Sequence, residues 1–138
     1  IIADWVPVLE SSNFEYEFTI PETEYTVRID INAYTRILNN LLQNTITHSE
    51  GSKMTLQIVE SRQKAKIVIA DNGKGISSDN LPHIFERLYQ CDHSRSAKGN
   101  GLGLAIAKEL VAVHKGTITA DSTPGKGTEF IISLPKAL

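Results

Sequence analysis

The chain predicts an α+β fold, a two-layer α/β sandwich with helices on one face of a sheet. Two observations point there. Long stretches beginning at Asp30 and Leu102 carry apolar residues at helical spacing, while several shorter stretches alternate apolar with polar residues as half-buried strands do. A third bounds the answer: 138 residues suffice for one domain with a single sizeable core.

Ile2, Trp5, Val6 and Leu9 fall at helical spacing and predict the tail of a helix arriving from further upstream, weakened by Pro7 unless that residue lies in the first turn. Phe14, Tyr16, Phe18 and Ile20 alternate as a strand. Pro21-Glu22-Thr23 turns the chain into a second strand, Tyr25 to Ile29. Asp30 then caps a long helix whose apolar positions are Ile31, Tyr34, Ile37, Leu38, Leu41, Leu42 and Thr45 or Ile46. Met54, Leu56 and Ile58 alternate in the next strand, and Ser61 to Lys64 turns into the apolar run Ala65 to Ala70. From Asp71 to Gly101 the sequence is polar, glycine-rich and poorly periodic, apart from a short helical piece around Leu81 to Leu88; a loop of that length usually has a job. Leu102 to His114 predicts a second full helix with Leu102, Ile106, Leu110 and Val113 on one face, ended by Gly116. Strands Thr117 to Ala120 and Thr128 to Leu134 close the chain.

A formal net charge of -2 argues against a nucleic-acid partner, which would call for a distinctly basic domain. The single cysteine, Cys91, excludes an internal disulfide and predicts a reducing compartment. No apolar run approaches the roughly 20 residues of a transmembrane helix, and no signal peptide is visible. The first residue is Ile1, so the sequence reads as a piece of a longer protein.

Four polar-and-glycine boxes carry the chemistry. Asn40 and Asn44, four apart, share one helix face with His48 a turn further, opposite the apolar stripe. An amide oxygen is a hard ligand suited to Mg²⁺, which takes its other ligands from phosphates and water. Two surface asparagines would look the same, but asparagine is an indifferent helix former, and two on one face ask for a reason. Asp71, ending an apolar run before Gly73 and Gly75, can accept from the exocyclic amine of adenine; guanine would offer a carbonyl there and leave the charge unpaired. A plain Asp-Asn-Gly turn is the alternative. Gly99, Gly101 and Gly103 lead into the second helix, whose first N–H groups and dipole form a phosphate site without added charge. The segment preceding Gly99 is no strand, which removes a dinucleotide fingerprint, and neither Gly73-Lys74-Gly75 nor Gly125-Lys126-Gly127 has the ending of a P-loop. Arg87, Arg95 and Lys98 could neutralise a triphosphate or could be solvated lid charges. Phe85 and Leu88 suit latch hydrophobes better than ligand contacts.

In this order the boxes resemble the catalytic ATP-binding domain of bacterial sensor histidine kinases, within the superfamily that also holds gyrase, Hsp90 and MutL. The resemblance runs from about Asp30 to Pro135, with Asn40–Asn44 like the N box, Asp71–Gly75 the G1 box, Ile84–Tyr89 the F box, Gly99–Leu104 the G2 box and Gly125–Thr128 the last glycine-threonine element. It implies a Bergerat-type sandwich with a mixed, mostly antiparallel sheet and a mobile lid over ATP. It implies that Asn44 coordinates Mg²⁺, that Asn40 assists at the phosphates, and that Asp71 binds the adenine amine above Gly73 and Gly75. Ile76, Arg87, Lys98, Gly99, Gly101, Leu102, Gly103, Leu104 and Thr128 would complete the nucleotide contacts. Residues 1–12 would be the remnant of a linker helix from a dimerisation and phosphoacceptor domain, and residues 13–138 the catalytic domain.

The ATPase members carry a glutamate at the position of Asn40 as general base. An amide takes no proton at neutral pH, so transfer to a histidine on the separate dimerisation domain, then to a response-regulator aspartate, fits better than hydrolysis. None of His48, His83, His93 and His114 lies in a phosphoacceptor setting, so the acceptor is expected outside this chain. The parent would be homodimeric and anchored in the bacterial membrane, with this domain cytoplasmic. Two departures weaken the triphosphate end: Thr47 stands where the family usually has lysine or arginine, and Gln90 where it often has arginine. They favour a second reading, a nucleotide-binding regulatory module without transfer. A third, an anti-sigma-type serine kinase, is disfavoured by Asn40, where that group tends to carry an acid.

Overall fold

The computed structural model describes residues 2–21, 27–89 and 102–136, excepting the side chains of Ile2 and Ala3. The elements run α1 (Ile2–Ser11), β1 (Glu15–Thr19), α2 (Ile31–His48), β2 (Lys53–Glu60), β3 (Lys64–Asp71), a single 3₁₀ turn (Leu81–His83), α3 (Gly103–Val113), β4 (Thr117–Thr123) and β5 (Gly127–Pro135). The strands form one sheet in the order β1-β2-β3-β5-β4. β1 pairs parallel to β2 and every other pair is antiparallel. The expected mixed, mostly antiparallel sheet is therefore present.

Alternation in the strands decides which side faces the helices. Along β5, Thr128, Phe130, Ile132 and Leu134 are buried while their neighbours are partly exposed. Ala65, Ile67 and Ile69 of β3 and Met54 and Leu56 of β2 join them. The helical layer answers with Ile37, Leu38, Leu41, Leu42 and Thr45 of α2 and with Trp5 and Leu9 of α1. Asp30 caps α2, its carboxylate accepting from the backbone N–H of Asn32 at 2.8 Å and of Ala33 at 3.0 Å.

Several expectations change. Ile31 is 63% exposed, so the buried stripe of α2 starts at Ile37. In α3 the buried residues are Ala105, Ala107 and Val111, and Val113, expected inside, is 75% exposed. Ala107 and Val111, four residues apart, set the core-facing side of α3, and the predicted Leu102/Ile106/Leu110 row is only partly buried. α1 continues through Pro7, which lies in its second turn. The strand expected from Tyr25 to Ile29 reduces, over its described part, to one bridge between Val27 and Lys136. The expected helix from Leu81 to Leu88 is a 3₁₀ turn followed by looser turns.

Candidate functional site

The described site lies where α2, the start of α3 and the ends of β3 and β5 converge. Asn40 and Asn44 are both half-buried. The Asn40 Nδ2 donates to the carbonyl oxygen of Gly103, the first residue of α3, at 3.1 Å. With its nitrogen committed, that amide presents Oδ1 on its other side. Asn44 sits one turn further along the same face, and its side chain makes no hydrogen bond among the described residues. Thr47 carries no charge to this end, and its hydroxyl accepts from Gln43 Nε2 at 2.8 Å.

Asp71, the last residue of β3, lies opposite Thr128 of β5. Its Oδ1 accepts from the backbone N–H of Gly73 at 2.9 Å. Burial pushes its carboxyl above the usual aspartate range, opposed by the N–H groups of Gly73 and Thr128. A half-buried acid held by backbone donors on one side suits a ligand amine on the other.

The glycines of this segment have reasons that lie outside any ligand. A Cβ on Gly73 would stand 2.1 Å from the carbonyl oxygen of Ser49, just beyond α2. Gly75 has φ +76°, and a Cβ there would stand 2.4 Å from the carbonyl oxygen of Thr123. Close approach of two other backbone segments thus demands glycine at both positions. Backbone bonds from Lys74 to Ser49 (2.6 Å) and from Gly125 to Lys74 (2.7 Å) lock the same crossing.

α3 opens differently from α2. Its N-cap is Leu102, which supplies no side-chain bond to the first turn. Leu102, Gly103 and Leu104 are half-buried at this opening. Gly99, Gly101, Arg95, Lys98 and Gln90 lie outside the described residues. Arg87 is exposed and donates to Glu109 Oε1 of α3, at 2.7 Å from Nη2. Phe85 packs edge-on to Phe130 at 6.3 Å between ring centroids, as a latch would. Leu88, expected to do the same, is 68% exposed with φ 63°. The reversal of the chain there turns its side chain outward.

The model of the family described as "Histidine kinase-, DNA gyrase B-, and HSP90-like ATPase" matches residues 29–138. The chain belongs to this family. The Bacillus subtilis sensor histidine kinase WalK is 36% identical over 140 residues, covering 98% of this chain and 23% of that protein. YclK of the same organism is 39% identical over 117 residues, covering 83% of this chain and 25% of that protein. The chain spans about a quarter of the length of these relatives. Among solved structures, the mycobacterial sensor histidine kinase MprB superposes with a TM-score of 0.83 at 29% identity, covering 98% of this chain and 93% of that one. Full-length ShkA, solved in complex with AMPPNP, gives 0.84 at 26% identity, covering 98% of this chain and 28% of that one. The sandwich is thus that of histidine kinase catalytic domains, and family membership makes it an ATP-binding domain.

Other residues join the site that sequence reasoning missed. Ser122 of β4 accepts from the Ile76 N–H at 2.7 Å, donates to the Gly127 carbonyl at 2.8 Å and lies 3.0 Å from Thr128 Oγ1. Its one hydrogen is used on Gly127, so the Thr128 hydroxyl donates to Ser122 and keeps its lone pairs as acceptors. Asn72 Oδ1 accepts from the N–H groups of Ser52 (2.8 Å) and Lys53 (2.9 Å), anchoring the Asp71 turn to β2. The Asp-Asn-Gly turn chemistry hinted at Asn72; nothing local pointed to Ser122. A cavity of about 230 Å³ borders the β4–β5 turn, lined by Asp71, Ser122 and Thr128 of the site together with Asp121, Lys126 and Glu129. Three acids against one lysine match a triphosphate poorly.

Proposed function

We propose that this chain binds Mg-ATP between α2 and α3 and passes its γ-phosphoryl group to a histidine on a separate dimerisation domain, for relay to a response-regulator aspartate. The contact of Asn40 with Gly103 carries this reading, because it joins the N box to the glycine box across one gap. Asp71 and Thr128 would hold the adenine end, with Gly73, Gly75 and Ile76 shaping the wall beneath it. Asn40, Leu102, Gly103 and Leu104 would face the phosphates, with Gly99, Gly101, Lys98 and Arg87 as further contacts. Bound Mg²⁺ would neutralise charge on the transferring phosphates, with Asn44 Oδ1 as its protein ligand. Among the described residues no cluster of three His, Cys, Asp or Glu occurs that would hold a metal alone. One amide with phosphate oxygens and water as the remaining ligands is a donor set Mg²⁺ accepts.

Asn40 accepts no proton, so this side chain positions phosphate rather than activating water, which favours transfer over hydrolysis. The parent protein is proposed to be a homodimer anchored in the bacterial membrane, with this domain on the cytoplasmic side. Among the described residues no helix is long and apolar enough to cross a membrane. The second reading, binding without transfer, draws on Thr47, whose hydroxyl is engaged by Gln43 where a charge would assist the phosphates.

The test combines titration calorimetry of Mg-ATP with labelled γ-phosphate and an added dimerisation domain. Acid-labile label on a histidine is the expected result. ATP binding with no transfer would favour the regulatory module, and acid-stable label a serine kinase.

A further inference from the structure

His114 ends α3 and reaches back to the start of α2. Its Nδ1 lies 2.7 Å from the carbonyl oxygen of Leu110, and its Nε2 lies 3.2 Å from the backbone nitrogen of Asp30. The carbonyl can only accept and the backbone N–H can only donate. The neutral ring therefore carries its proton on Nδ1 and offers its Nε2 lone pair to Asp30. That second bond crosses 84 residues of sequence and joins the end of one helix to the N-cap of the other.

At its opposite end α3 is held by the Asn40 amide on the Gly103 carbonyl. The two attachments are separated by the length of α3, 11 residues, or roughly 16 Å at the usual rise per residue. One attachment fixes a point and leaves the helix free to pivot; two so far apart fix both axial offset and angle. Ala107 and Val111 seat α3 in the core, and the two end attachments together set its axial offset and angle there.

We propose that His114 is a positioning residue for the nucleotide: by accepting the Asp30 N–H it holds the first turn of α3 in register with Asn40 and Asn44. This rests on the reading that the triphosphate lies between those helices. His114 itself is at the far end of α3 and acts only through the helix.

The alternative is a local role, in which the ring merely closes α3 on Leu110. Two substitutions separate the two, since an asparagine side chain can stand in for Nδ1 and a glutamine for Nε2. His114→Gln keeps an acceptor for Asp30 and should bind Mg-ATP within about twofold of the native chain. His114→Asn keeps the donor to Leu110 alone and should bind about three- to tenfold more weakly, the worth of one net hydrogen bond. Equal loss in both variants, or no loss in His114→Asn, overturns the proposal while leaving the nucleotide site standing. No affinity in the native chain sinks the site reading itself. Should His114→Asn fail to fold, nitrogen-15 spectra of the native chain decide. A scalar coupling across the hydrogen bond between the Asp30 N and His114 Nε2 supports the proposal, and its absence or a neutral Nε2–H ring overturns it.

Discussion

α2 and α3 lie against each other, yet they begin in opposite ways. α2 opens on Asp30, whose carboxylate takes two of the first N–H groups. α3 opens on Leu102, which gives its first turn no side-chain bond. A capped helix end is finished within the protein, whereas an uncapped one presents donors and a positive dipole to whatever arrives. The difference teaches where ordering serves the fold and where it is left to the ligand. In the proposed site α2 contributes side-chain amides and α3 contributes the backbone of its first turn.

The strongest way to break that contrast is to cap α3 as α2 is capped. Leu102→Asp should lower Mg-ATP affinity by on the order of 100-fold, because a carboxylate would take the donors and repel phosphate at close range. Calorimetry checks it, and an unchanged affinity would mean that the phosphates do not lie at this turn. Next in size, Asp71→Asn should weaken ATP about 10- to 100-fold by removing a charged acceptor from the adenine amine. Its effect on stability has the opposite sense. Because burial raises the Asp71 pKa above 3.8, the folded protein holds this proton to higher pH than the unfolded chain does. The group's contribution to stability is full below that ordinary value and is lost as pH rises through the folded one. At pH 7 the ionised acid is a standing cost, so the Asp71→Asn thermal midpoint should not fall.

Asp30→Ala sharpens the comparison from the other helix. It should destabilise the fold by about 1 kcal/mol, as loss of an N-cap does, while changing ATP affinity less than twofold; denaturant melts with calorimetry measure both. The smallest effect is expected at the surface pair joining Arg87 to Glu109. With both side chains more than half exposed, Arg87→Ala should cost at most about 0.5 kcal/mol. A larger loss of affinity than of stability there would support its proposed phosphate role.

The elements that were legible in the sequence are those whose signal is local. Asp30 announced its helix by residue type and place, and the alternation Met54, Leu56, Ile58 announced β2. The misreadings share one cause. Val113 continued a helical pattern but faces solvent, because the core-facing side of α3 runs through Ala107 and Val111. Gly73 and Gly75, expected beneath the base, have a reason in the fold as well, the close approach of Ser49 and Thr123, which no local pattern announced. Ser122 carried no signal at all, since its place in the site comes from pairing opposite Thr128.

The sequence by itself determined the order of helices and strands, the cap of α2 and the residue types available for a nucleotide. These depend on hydrophobic period and backbone preference within a few residues, which act before any tertiary contact forms. Only the tertiary structure decided that Asn40 meets Gly103 across 63 residues and that His114 meets Asp30 across 84. Such meetings are set by how two helices settle on a twisted sheet, and that depends on every side chain between them at once.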